Sequence, residues 1–129
     1  MSKTSSKYLQ NKRPLLADPD LAVLIGLHEA MVLQQMNYWV KINEKAGKNF
    51  KDGHFWTYNS YESWQEQFPF WTSRTLKNII ARLEAQNLLI SANFNRMSFD
   101  RTKWYRINYD LLDNLELPLG KTFTMECEK

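Results

Sequence analysis

The sequence is poor in the residues that usually announce chemistry. It holds one cysteine, Cys127, and two histidines, His28 and His54. A lone thiol excludes an internal disulfide framework, and these three side chains lack the spacing of a metal-ligand set. No apolar run approaches the length of a bilayer span. Residues 1–7 (Met-Ser-Lys-Thr-Ser-Ser-Lys) contain no apolar stretch of the kind a secretory signal needs. The expectation is a cytoplasmic protein in which the thiol stays reduced. No Ser-His-Asp or Cys-His arrangement is legible. Glu62 and Glu66, one helical turn apart, fit a solvated pair better than catalytic carboxylates. Gly120-Lys121-Thr122 echoes the end of a phosphate-binding loop, but Leu115 stands where such a loop requires its first glycine. The expectation is therefore no enzyme and no cofactor. Glycine and proline number four each, and they serve mainly to mark element boundaries.

What the sequence has is apolar mass and an uneven distribution of charge. Of its 129 residues, 43% are hydrophobic and 14% aromatic, enough for one cored domain. Residues 1–13 carry Lys3, Lys7, Lys12 and Arg13 with no acid, and are expected to form a flexible basic tail. Residues 14–117 are expected to form the domain, and residues 118–129 a C-terminal tail. The net charge is only +3, yet Thr72 to Arg106 holds seven bases against two acids. A basic middle suits a polyanionic ligand, and it also suits an ordinary solvated face.

The element signals run in order. Asp18-Pro19 is a helix start, because Asp caps and Pro at the first position loses no hydrogen bond. The short helix Pro19–Ile25 is expected to stop at Gly26 in a left-handed conformation. A second helix, about Glu29 to Glu44, follows, with His28 as a candidate cap and Val32, Leu33, Met36, Trp39 and Val40 on one side. Met31, Tyr38 and Ile42 make a second apolar stripe, held either by the N-terminal helix or by a partner subunit. Residues 46–53 form a polar loop, and Phe55 to Tyr58 a short strand. Ser60 caps a helix over Tyr61–Gln67, which Pro69 blocks. Phe70-Trp71 plug the corner, and Thr72 caps a helix from Ser73 to about Gln86 with Leu76, Ile79, Ile80 and Leu83 inward. Leu88 to Phe94 and Thr102 to Tyr109 read as two strands joined by a polar tip. Tyr105, Ile107 and Tyr109 share one face, with Trp104, Arg106 and Asn108 on the other. Residues 110–117 read as a last short helix.

Helix, short strand, helix, tight turn, helix, strand, basic tip, strand is the order of a winged helix-turn-helix. The expected fold is thus α+β and mostly α: a winged helix-turn-helix with an N-terminal helical extension and a C-terminal β-hairpin wing. At about 100° per residue, the side of helix 73–86 opposite Leu76 holds Arg74, Lys77, Asn78, Ala81 and Ala85. Arg, Lys and Asn are the types that contact phosphates and base edges. Thr72 and Ser73 lie at the helix N-terminus, where backbone N–H groups favour a phosphate. In the wing, Arg96 and Arg101 flank the tip, with Lys103 just beyond, in reach of a minor groove or its phosphates. Phe99 is expected to fold back onto the hairpin. The expected partner is double-stranded DNA, with a homodimer, replication proteins and no membrane as further expectations about partners.

From Pro14 to Leu112 the chain resembles the winged-helix N-terminal domains of replication proteins from phages and plasmids of Gram-positive bacteria, a group akin to DnaD-type replisome organisers. The residues that carry the resemblance are Ile25-Gly26-Leu27-His28-Glu29-Ala30, Leu33-Gln34-Gln35 with Tyr38-Trp39, Tyr58-Asn59-Ser60-Tyr61-Glu62, Trp64, Gln67-Phe68-Pro69-Phe70-Trp71, Arg74-Thr75 and Phe99-Asp100-Arg101-Thr102-Lys103-Trp104-Tyr105. The resemblance implies origin-DNA binding in replication initiation. Such proteins carry a further C-terminal region for contacts with the replication machinery. The resemblance does not extend to such a region here, so it bears on DNA binding more than on helicase loading. Two other readings suit the same pattern: a transcriptional regulator, and a winged-helix protein-interaction module acting as a small phage-encoded regulator or inhibitor.

Overall fold

The computed structural model describes residues 6–8 and 14–116. Most of the expected 1–13 tail, Leu117, the expected 118–129 tail, the Gly120-Lys121-Thr122 echo and Cys127 lie outside the described residues. The described chain is α+β and mostly α, with five helices and two small antiparallel sheets.

Helix α1 spans Pro19–Ile25, and the Asp18 carboxylate accepts the Leu21 N–H at 3.0 Å. Gly26 ends it, but not in the left-handed helical conformation: φ 106° and ψ 148° are an extended geometry open only to glycine. The chain therefore turns without a spacer, and helix α2, Leu27–Ala46, begins two residues earlier than its apolar pattern suggested. His28 lies inside α2 and does not cap it; its ring packs 5.0 Å from that of Trp71. Helix α2 closes on Gly47 at φ 68°, where the Lys48 N–H reaches back to the Asn43 carbonyl at 2.9 Å.

The expected loop 46–53 contains a hairpin. Strands β1, Phe50–Lys51, and β2, His54–Phe55, pair around Asp52 and Gly53, which sit at φ 52° and 78°. Two successive positive φ values give the primed turn whose twist matches antiparallel strands, and Asp-Gly is among its preferred pairs. Trp56 then interrupts the strand expected from Phe55 to Tyr58. It donates its indole N–H to the Lys51 carbonyl at 2.9 Å, and β3 is Thr57–Tyr58.

Helix α3, Tyr61–Gln67, starts on Ser60, whose hydroxyl accepts the Ser63 N–H at 3.2 Å. Helix α4, Ser73–Ala85, follows and ends without glycine. Asn87, at φ 63°, takes the left-handed position, which Asn tolerates better than other non-glycine residues. The Leu88 N–H bonds the Leu83 carbonyl and the Asn87 N–H that of Glu84, both at 3.0 Å, while Leu83 and Leu88 are both buried. This is the Schellman arrangement with its apolar contact. Strands β4, Leu89–Ala92, and β5, Trp104–Ile107, complete a three-stranded sheet in the order β3-β5-β4, with Ser91 opposite Tyr105 and Tyr105 opposite Thr57. Helix α5, Tyr109–Asp113, is shorter than expected, and Tyr109 sits on it rather than on β5.

The core joins Leu33 and Met36 of α2, Trp64 and Phe68 of α3 and its turn, Leu76, Ile79, Ile80 and Leu83 of α4, and Leu89, Tyr105 and Ile107 of the sheet. Trp104, placed with Arg106 on the face opposite Tyr105 and Ile107, is buried as well. Phe94 and Tyr58 cover it, with ring centroids at 5.4 and 4.9 Å. No helix among the described residues is long and apolar enough to cross a membrane.

Candidate nucleic-acid interface

Helix α4 is fixed at both ends before its outer face comes into play. At its start the Thr72 hydroxyl accepts the Thr75 N–H at 3.1 Å and lies 3.0 Å from the Thr75 hydroxyl, so Thr72 is occupied as a cap. Near its end, Arg82 donates to the Glu29 carboxylate at 2.6 Å, and Glu29 is largely buried in the first turn of α2. Between these anchors Leu76, Ile79, Ile80 and Leu83 are buried, while Ser73, Arg74, Lys77, Asn78, Ala81 and Ala85 are exposed. The partition follows the 100° spacing. The outer face thus has four polar or basic side chains in its first half and two alanines in its second, so a surface could approach the backbone closely there.

The turn that enters α4 is rigid. Phe68 is buried and Trp71 stacks on it at 5.0 Å with an interplanar angle of 20°. The Trp71 carbonyl accepts the Gln65 amide at 2.8 Å. With His28 against its ring, Trp71 ties this turn to the start of α2. Phe70 is exposed and plugs nothing.

The tip of the β4–β5 hairpin is organised around Asn95. Its amide nitrogen donates to the carbonyls of Asp100 and Thr102 at 2.9 and 2.8 Å, and its amide oxygen accepts the Trp104 indole N–H at 2.7 Å. The Asp100 N–H bonds the Met97 carbonyl at 3.0 Å, which closes a turn over Met97-Ser98-Phe99-Asp100. The Asp100 carboxylate accepts the Thr102 N–H at 3.0 Å and the Tyr58 hydroxyl at 3.3 Å. Donation by the Thr102 backbone, and then by its side chain, holds the Asp100 carboxyl below its ordinary value against a small opposing desolvation. Arg96, Arg101 and Lys103 are exposed around this frame. Phe99 does not fold back: it is 75% exposed.

The structure separates the bases by what they touch. Lys103 meets Glu84 of α4 at 3.3 Å and so links the β4–β5 hairpin to the helix. Lys77 lies over the Tyr61 ring, 5.1 Å from its centroid, and Arg106 lies 5.8 Å from that of Trp56. Arg74, Arg96 and Arg101 have no ion pair among the described residues. Between the start of α3 and the tip of the β4–β5 hairpin is an open cleft of about 500 Å³, lined in part by Tyr61, Glu62, Phe99, Arg101 and Lys103. Lys77 lies over the ring of Tyr61, one of the residues that line this cleft, while Arg101 and Lys103 line it from the hairpin. Asn95, Tyr61 and Glu29 were not legible in these roles, since their partners lie further along the chain or on other elements.

The second apolar stripe has a different setting. Leu21 of α1 meets Leu33, Gln34 and Asn37 of α2 along a shallow cleft. Met31 and Tyr38 are half-buried and Ile42 is exposed. A seven-residue helix is only about 10 Å long, so α1 leaves Ile42, near the far end of α2, uncovered. Among the described residues no cluster of His, Cys, Asp and Glu is placed to hold a metal ion. The chain matches no protein-family model, no curated protein and no solved structure, so the case for its ligand stands on these residues alone.

Proposed function

We propose that the chain is a winged helix-turn-helix domain that binds double-stranded DNA and catalyses no reaction. In this reading α3 and α4 are the helix-turn-helix, the β3-β5-β4 sheet supports the wing, and α1 is the N-terminal extension. Helix α4 enters the major groove with Arg74, Lys77 and Asn78 toward base edges and phosphates. Ser73 contacts the backbone at the helix start, and Thr72 shapes that start as its cap. Arg96 and Arg101 reach the adjacent minor groove or its phosphates from the wing, and Lys103 sets the angle between wing and helix. The observation that carries the reading is the pairing of a polar, alanine-backed outer face on α4 with arginines that have no ion pair among the described residues on a hydrogen-bonded hairpin tip. The resemblance to phage and plasmid replication proteins favours initiation of replication in the cytoplasm as the process. A homodimer through Met31, Tyr38 and Ile42 would set two half-sites about one helical turn apart.

Fluorescence anisotropy with a labelled duplex over a range of salt tests this. Log K is expected to fall with log salt at a slope of roughly −4 to −6, at about −0.9 per phosphate engaged. An Arg74→Ala/Lys77→Ala variant is expected to bind more weakly with a shallower slope. Absence of binding at low salt, or a variant equal to wild type, sinks the reading.

A further inference from the structure

The wing tip carries two large apolar side chains that the fold does not use. Phe99 is 75% exposed and Met97 55%. Their exposure follows from the backbone. The turn closed between Met97 and Asp100 puts Ser98 and Phe99 at its two central positions, where side chains point away from the strands. Asn95, clamped to two carbonyls and to the Trp104 indole, keeps this turn from collapsing onto the hairpin. The Phe94, Trp104 and Tyr58 rings pack on one another close to it, beside an open pocket of about 350 Å³ that Arg96 and Met97 also line. On either side stand Arg96 and Arg101, both exposed and without an ion pair among the described residues. An apolar pair held out on a stiff support between two cations fits a ligand that is anionic outside and apolar within. Stacked base pairs between phosphate strands have that chemistry.

Resting on the DNA reading above, we infer that Phe99, seconded by Met97, is a wedge that enters a base step from the minor groove and unstacks it. Arg96 and Arg101 hold the phosphates on its two sides. Apolar side chains inserted in this way kink a duplex toward the major groove, and pyrimidine–purine steps such as TA yield most readily. A wedge must resist being pushed back, and the Asn95 clamp supplies that stiffness. The wing would then do more than steady the protein on its site: it would deform the duplex locally, which is a first step toward strand opening.

The test uses a short duplex with central TA steps, 2-aminopurine beside one of them, and a donor–acceptor dye pair at its ends. The full chain is compared with Phe99→Ala and with Arg96→Ala/Arg101→Ala. Wild type is expected to raise 2-aminopurine fluorescence and energy transfer together. Phe99→Ala is expected to lose both changes and about tenfold in affinity, while keeping the wild-type salt slope. The double arginine variant is expected to lose about two phosphates' worth of slope. Wild type that binds the duplex with no change in either signal overturns the wedge and leaves the DNA reading intact. A Phe99→Ala variant that unstacks as well as wild type overturns it too. Wild type that fails to bind the duplex at low salt overturns both. Phe99-dependent binding to anionic vesicles, with duplex binding indifferent to Phe99, would assign the tip to a membrane surface instead.

Discussion

Asn95 makes three hydrogen bonds at the tip of the β4–β5 hairpin, and the structure sets the size of its effect. In Asn95→Ala the carbonyls of Asp100 and Thr102 lose a donor. Both are half-buried at the tip, where the shortened side chain lets water in, and Asn93 still donates to the Asp100 carbonyl at 3.1 Å. Each of these losses is worth about 0.5 kcal/mol. The Trp104 indole N–H differs, because Trp104 is only 8% exposed and a buried donor left unsatisfied costs about 1–3 kcal/mol. The sum is about 2–4 kcal/mol. With a urea dependence of roughly 2 kcal/mol per molar, usual for small domains, the unfolding midpoint should fall by about 1–2 M. Asn95→Asp separates the contributions. It keeps an acceptor for Trp104 but turns a carboxylate oxygen toward two carbonyls. Its loss of stability should therefore shrink as the pH drops and the new carboxyl is protonated, whereas that of Asn95→Ala should not. An Asn95→Ala variant within about 0.5 kcal/mol of wild type would show that the tip is held by something other than this clamp.

Two further predictions concern parts of the same scaffold. Gly26→Ala places a Cβ against the Glu29 carboxylate at a backbone φ of 106°, so a loss of about 2–3 kcal/mol is expected in chemical denaturation. Because that carboxylate also holds Arg82, DNA affinity should fall although Gly26 is remote from the proposed interface; wild-type stability would refute the geometry. Asp100 titrates below its ordinary value of 3.8 in the fold, so its contribution to stability is fully present above that value and is lost as the pH falls through its folded pKa. The stability gap between wild type and Asp100→Asn, measured by denaturant midpoint, should be constant near neutrality and close below the ordinary carboxylate range. A gap that widens in acid would refute the sign.

The parts of this fold that the sequence announces are those whose cause is local. Asp18-Pro19, Ser60 and Thr72 each cap the helix that follows within three residues, and α1 and α3 occupy the stretches their caps and stops define. The outer face of α4 was legible for the same reason, since a 100° rotation needs no knowledge of neighbours. The β1–β2 hairpin went unread although Asp52-Gly53 is a hairpin signal, because its strands are two residues each and Lys51 and His54 break any alternation. That Phe94 and Tyr58 cover Trp104 went unread, because those rings lie on other segments of the chain and alternation along β5 says nothing of them. Phe99 was misjudged because its exposure depends on Asn95 reaching carbonyls five and seven residues further along the chain.

Charge was the least legible feature, and the reason bears on function. Counting seven bases between Thr72 and Arg106 treats them as equivalent, yet Arg82 finds its acid 53 residues away on α2 and Lys103 finds Glu84 on α4. These two cations, with Arg106 over Trp56, hold α4 and the hairpin to the rest of the domain. Arg74, Lys77, Arg96 and Arg101 remain, in the first half of α4 and at the hairpin tip, with Lys77 over the Tyr61 ring. Cations fixed on elements that are themselves pinned lose little conformational freedom on meeting a polyanion, so little of their attraction is offset by ordering. An excess of positive charge that was merely solvating the surface would have no need of such support. The division between bases that brace and bases left facing outward is what a preorganised anion-binding face requires.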